Sequence, residues 1–150
     1  MRSTSKLLTG MCAFIMLLIF AVPFTVFADS FDGSKTLLCA PQSAVECGPD
    51  GSCQQVSPTS VNLPDFFQID FKNKTINRVA GNENHKGSKI DRMEVLDNKL
   101  ILQGADDGVE DVRDGLAWSM AIAQDTGKLV ASAAGESEAF VIFGACTPRQ

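Results

Sequence analysis

Three alternating apolar runs, joined by two glycine-bearing turns, fill residues 115–146 and restrict the fold of this chain more than any other stretch. Leu116, Trp118, Met120 and Ile122 fall two apart, so in an extended chain they share one face. Asp125-Thr126-Gly127 follows as a three-residue turn, its glycine free to take the positive φ such a loop needs. Leu129, Ala131 and Ala133 continue the alternation to a second turn at Gly135-Glu136-Ser137. The run 139–145 is apolar at nearly every position, the pattern of a strand covered on both faces. A three-stranded meander that carries the only tryptophan is the expected core.

The first 28 residues read as an address. Arg2 and Lys6 form a short basic region, and an uncharged, mostly apolar run extends over 7–28. Val26-Phe27-Ala28 sets small residues at the positions a signal peptidase requires, so cleavage is expected after Ala28. An uncleaved anchor is the alternative, because the run is nearly long enough to span a bilayer. Pro23 and the small residues before Asp29 favour cleavage, leaving no stable membrane insertion. Cys12 falls in the discarded peptide, since Met11 precedes it where a lipoprotein would have a small residue.

The mature chain, 29–150, has 122 residues and one domain's length. Without Arg2 and Lys6 it holds 11 basic and 18 acidic side chains, a net charge of −7. That balance argues against nucleic acid, which demands a basic footprint, and against anionic membrane surfaces. Four cysteines remain, Cys39, Cys47, Cys53 and Cys146, and an even number in an exported chain reads as two disulfides with three possible connectivities. Zinc is disfavoured, because no C-x-x-C pair occurs and the sole histidine, His85, sits in a polar stretch. Gly-Pro-Asp-Gly-Ser between Cys47 and Cys53 is a turn that brings those two together. Cys39 closes the apolar run Thr36-Leu37-Leu38 and Cys146 closes the last strand, so by elimination these two pair. Their bridge would close a loop of about a hundred residues, worth roughly 4–5 kcal/mol of chain entropy against about 2 for the short loop.

Short strands fill the middle. Phe67, Ile69 and Phe71 alternate with Gln68, Asp70 and Lys72, as in a strand with one wet face. Lys72-Asn73-Lys74 turns the chain into a strand over 75–79. Strands over 90–96 and 99–103 flank Asp97-Asn98, a two-residue hairpin turn that pairs Val95 with Leu100 and Met93 with Leu102. No eleven-residue window of the mature chain sustains helical spacing. The expected fold is all-β: a small antiparallel barrel or two-sheet sandwich of about seven to nine short strands, after an N-terminal signal helix. The chain is short for a full eight-stranded calyx with a large ligand cavity, which favours a compact barrel or sandwich.

The cysteine-bounded glycine and proline loop, F-x-I-D, L-x-L-Q-G, G-L-A-W-S-M-A-I with T-G-K, and A-F-V-I-F-G-A-C-T-P together resemble a group of small exported bacterial proteins. The resemblance spans 37–148, and 140–148 is its most specific part. It implies an exported, periplasmic bacterial protein and supplies no activity, ligand or catalytic residue. The acidic stretch before the Trp118 strand is longer here than in that group.

Candidate chemistry is sparse. A serine or cysteine nucleophile needs a base, and His85 between Asn84 and Lys86 reads as a solvated loop histidine. Neither G-x-S-x-G nor H-E-x-x-H occurs, and no cofactor motif is present. Asp106 and Asp107 are a carboxylate pair of the type glycosidases use, but adjacent loop residues seldom hold that geometry. Asp106, Asp107, Glu110, Asp111 and Asp114 form an oxygen-rich stretch with a weak calcium alternative, weighed against a solvated, self-repelling insertion. The spacing of a calcium loop is absent, since Gly108 comes too early. Trp118 could stack a ligand at a barrel mouth or simply fill the core. Asn73-Lys74-Thr75 is a glycosylation sequon, relevant only in a eukaryotic secretory pathway. Two functions follow as expectations: a non-catalytic envelope module that binds a small ligand or another envelope protein, or a small secreted enzyme or enzyme inhibitor acting through its loops. The missing base–nucleophile set favours the first.

Overall fold

The computed structural model describes residues 31–79, 87–108 and 114–149. The signal segment, His85, Glu110 and Asp111 lie outside these residues. Among the described residues nine strands form one antiparallel sheet: β1 (Leu37–Cys47), β2 (Cys53–Val56), β3 (Phe67–Asp70), β4 (Thr75–Arg78), β5 (Ser88–Leu96), β6 (Lys99–Asp106), β7 (Leu116–Ala123), β8 (Lys128–Ala134) and β9 (Ala139–Pro148). β3 to β9 pair in sequence order, and β1 bonds both β3 and β9, so eight strands close into a barrel. β2 is the extra strand, paired to the C-terminal half of β1. Closure leaves the barrel without the free edges that make open sheets prone to mispairing.

Local chemistry explains the joints. The β5–β6 hairpin has the expected register, Val95 opposite Leu100 and Met93 opposite Leu102. Asp97 and Asn98 take φ of 49° and 58°, the left-handed pair that a two-residue turn of matching twist requires. Gly127 takes φ 67° in the β7–β8 turn, and the Phe31 ring packs directly on it.

Three features of the elements differ from the sequence-based expectation. The first strand does not stop at Cys39 but continues to Cys47, passing a register shift between Pro41 and Ser43. Pro41 lacks an N–H for the ladder, and the irregularity takes up that loss. The final strand is covered on one face only: Phe143 and its cross-strand partner Val130 are 44% and 45% exposed. A barrel has a single interior, so the second apolar face of such a strand meets solvent. A single-turn 3-10 helix, Pro58–Val61, lies in the long connection from β2 to β3, with Ser57 as its N-cap.

The interior is packed at one end. Leu37, Ile69, Leu100, Leu102, Ile122 and Leu129 are buried there, and Phe31 closes the end from the N-terminal side. Gln124 Nε2 reaches the Phe31 carbonyl at 3.5 Å across that closure. Among the described residues no polar or charged residue is buried.

Candidate functional site

The other end of the barrel is hollow. Inward positions of β7 and β8 run Ile122, Met120, Trp118, Leu116 and Leu129, Ala131, Ala133 away from the packed end. On β6 the matching positions are Leu100, Leu102, Gly104 and Asp106. Gly104 on β6 and Ala131 and Ala133 on β8 leave space toward the open end, and a cavity of about 330 Å³ remains. Phe67, Ile76, Leu116, Trp118, Phe140 and Ile142 are among the apolar residues of its wall. Its size lies at the lower end of the range for small-molecule sites. The length of the chain, which counted against an eight-stranded calyx with a large cavity and favoured a compact barrel or sandwich, is offset by short strands: β3 and β4 have four residues each, so eight strands fit.

Trp118 is partly buried and stands opposite Gly104 across the β6–β7 ladder. The missing side chain is what admits the indole, because a Cβ at Gly104 would lie 2.5 Å from Trp118 Cζ2. Trp118 Nε1 is fully shielded and donates to no acceptor among the described residues. Leaving a buried donor unpaired costs about 1–3 kcal/mol, so such a group calls for a reason.

The mouth is polar. Val61 at the end of the 3-10 helix and Asn62, Leu63 and Pro64 after it line the cavity. Asn62 holds a left-handed conformation, and its carbonyl accepts a hydrogen bond from Arg78 Nη2. Arg78 follows Ile76 by two along β4 and so shares its inward face. Ser88, Asp106 and Asp114 also line the cavity, Ser88 paired with Ile76 across the β4–β5 ladder. Ser88 Oγ donates to Asp106 Oδ2, and the Gly108 N–H donates to Asp106 Oδ1 at 3.0 Å.

The structure divides the sequence-derived candidates. Trp118, Asp106 and Asp114 line the cavity, whereas Asp107 does not. Among the described residues no group of three carboxylate, histidine or cysteine side chains converges as a metal site. Glu110 and Asp111, the remaining calcium candidates, and His85 lie outside the described residues. Cys39 is bonded to Cys146 across β1 and β9, and Cys47 to Cys53 across β1 and β2. Among the described residues three carboxyls are held below their ordinary range, Asp50 and Asp97 in turns and Asp70 at the end of β3. Asp50 accepts from the side chain and backbone of Ser52, Asp70 from the backbone and side chain of Asn73, and Asp97 from Lys99. Each fastens a turn between strands, away from the cavity.

Arg78, Asn62 and Ser88 were not singled out from sequence, and Ala131 and Ala133 were placed in the alternation of their strand but not as cavity-lining positions. The two alanines could have been found, because small residues at inward positions leave space when no large partner faces them. Arg78 offered no such signal, since its neighbours at the mouth come from distant segments. No family model, curated protein or solved structure matches the chain.

Proposed function

We propose that this is a non-catalytic exported binding module that takes a small, largely apolar ligand into the open end of its barrel. The observation that carries the reading is the half-filled interior, with an apolar-walled cavity beside a buried, unpaired indole N–H. A barrel built for stability alone would fill this space, because each void forfeits the contacts of its lining. The two disulfides are consistent with an oxidising compartment. With the signal-like segment they support a periplasmic or extracellular location, in line with the resemblance to small exported bacterial proteins.

The chain has one tryptophan and no tyrosine, so its fluorescence reports Trp118 directly. Adding 1-decanol is expected to shift Trp118 emission to shorter wavelength and to protect it from acrylamide. Ala133→Phe, which fills the cavity from β8, is expected to abolish both effects while retaining the wild-type circular dichroism. Native mass spectrometry of gently purified protein should show an adduct lost on denaturation. Emission and quenching indifferent to every apolar probe in wild type would overturn the reading.

A further inference from the structure

Every strand of the barrel has two neighbours, but β5 outruns one of them. β6 pairs with it from Lys89 to Leu96, whereas β4 pairs only with Ser88 and Lys89, and the Lys74 carbonyl accepts from the Ile90 N–H. Among the described residues no backbone group pairs with the other side of 91–96, and all six residues are exposed. The hairpin turn fixes which groups are left over. Leu96 and Lys99 flank a two-residue turn and so bond each other, and Glu94 and Arg92 bond β6 in the same way. Met93 and Val95 therefore turn their N–H and C=O away from β6, to the open side. Met93, Val95 and Leu96 are also 48%, 52% and 62% exposed. An open edge of this length and apolar content is a template for another strand.

We propose that this edge pairs with the same edge of a second copy of the chain, antiparallel about a two-fold axis at Met93. Charge selects the register. Met93 and Val95 stand opposite the buried Leu102 and Leu100, so Arg92 and Glu94 share the outward face, where they bond each other at 2.7 Å. An axis at Met93 sets Arg92 opposite Glu94 of the second copy, twice by symmetry, and the four charges alternate in sign. Moving the axis by one residue, to Glu94 or Arg92, sets that charge against its own copy, and like charges directly opposite destabilise a pair. Met93 is also a position whose N–H and C=O are free on this side, so the two copies of Met93 exchange both bonds. A foreign strand would gain similar backbone bonds, but the matched charges at 92 and 94 give a copy of this chain a register of its own. The second strand runs along 91–95 and ends where β4 takes up the edge. Such a contact is isologous and closes at two. It is small, and each mature chain carries a net charge of −7, so the dimer is a transient one.

The test is sedimentation equilibrium of the disulfide-bonded protein from micromolar to millimolar concentration, where a monomer–dimer equilibrium is expected. Glu94→Arg alone, or Arg92→Glu alone, should weaken the dimer about tenfold or more, because two attractive cross-strand pairs become repulsive. An equimolar mixture of these two single variants should associate as tightly as wild type, since each charge again meets its opposite. Met93→Pro removes the N–H on the open side and spares the ladder to β6, so it should abolish the dimer without changing the circular dichroism. A readout that needs no variant is amide exchange in wild type. The Met93 amide should slow as concentration rises, while the Glu94 amide, bonded to β6, should hardly change. A monomer at every concentration overturns the proposal. So does a dimer that the single charge variants leave undiminished, a mixture no tighter than either variant alone, or a Met93 amide indifferent to concentration.

Discussion

Gly104 and Trp118 show how one missing side chain shapes the site. A Cβ at Gly104 would meet the indole and would also lie 2.2 Å from the Lys89 carbonyl oxygen, so neither the ring nor the backbone leaves it room. Gly104→Ala is therefore expected to cost about 1–3 kcal/mol, the usual range for overpacking. Urea denaturation measures the loss, and the displaced indole should alter the Trp118 emission of the folded state. Unchanged values in both would mean that the ring is not seated on Gly104. The inward placement of Trp118 was legible from its alternation with Leu116, Met120 and Ile122. Its seat was not, because Gly104 lies on another strand and only the register brings the two together.

At the scale of elements, the two disulfides do different work. Cys39–Cys146 joins residues separated by 107 positions, and Cys47–Cys53 by 6. Chain entropy then predicts that replacing Cys39 and Cys146 together by alanine costs roughly 4–5 kcal/mol, against about 2 for the Cys47 and Cys53 pair. Denaturation of the two double variants compares them, and a costlier loss of the short bridge would contradict the chain-entropy account. Local signals served well where an element is closed by its own turn, as with Asp97-Asn98 and Asp125-Thr126-Gly127. They failed for β2 and for the extension of β1, whose residues 40–47 include Pro41, Ser43 and Glu46 and show little alternation. Pairing of 40–47 to β9 at seven positions, and of β2 to β1 at four, rather than intrinsic preference, makes them strands.

Across the whole molecule the barrel is unevenly closed. β6 to β9 and β1 are joined by long ladders, whereas β4 meets β5 over two residue pairs and β3 meets β1 over three. The β3–β4 hairpin is thus held at both sides by short seams, and local opening is cheapest where few interactions break. Native-state hydrogen exchange should show the amides of β3 and β4 exchanging well before those of β7, β8 and β9. Uniform protection around the barrel would mean that closure is cooperative throughout. Because Phe67, Ile76 and Arg78 stand on this hairpin and line the cavity, a bound ligand should slow exchange there first.

By itself the sequence determined the class of the fold: period-two alternation commits most segments to strands, turn residues place the reversals, and export-compatible cysteines supply the bridges. These are properties of neighbours along the chain, carried by the pleat and by backbone sterics. Only the tertiary structure decided between barrel and sandwich, and that one end is filled by Leu100, Leu102, Ile122 and Phe31 while the other is left hollow. It also decided that Arg78, Asn62 and Asp106 share a mouth. Closure depends on how strand tilt and register accumulate around eight strands. The cavity, in turn, depends on which inward residues from separate strands face one another, a relation no single stretch of sequence contains.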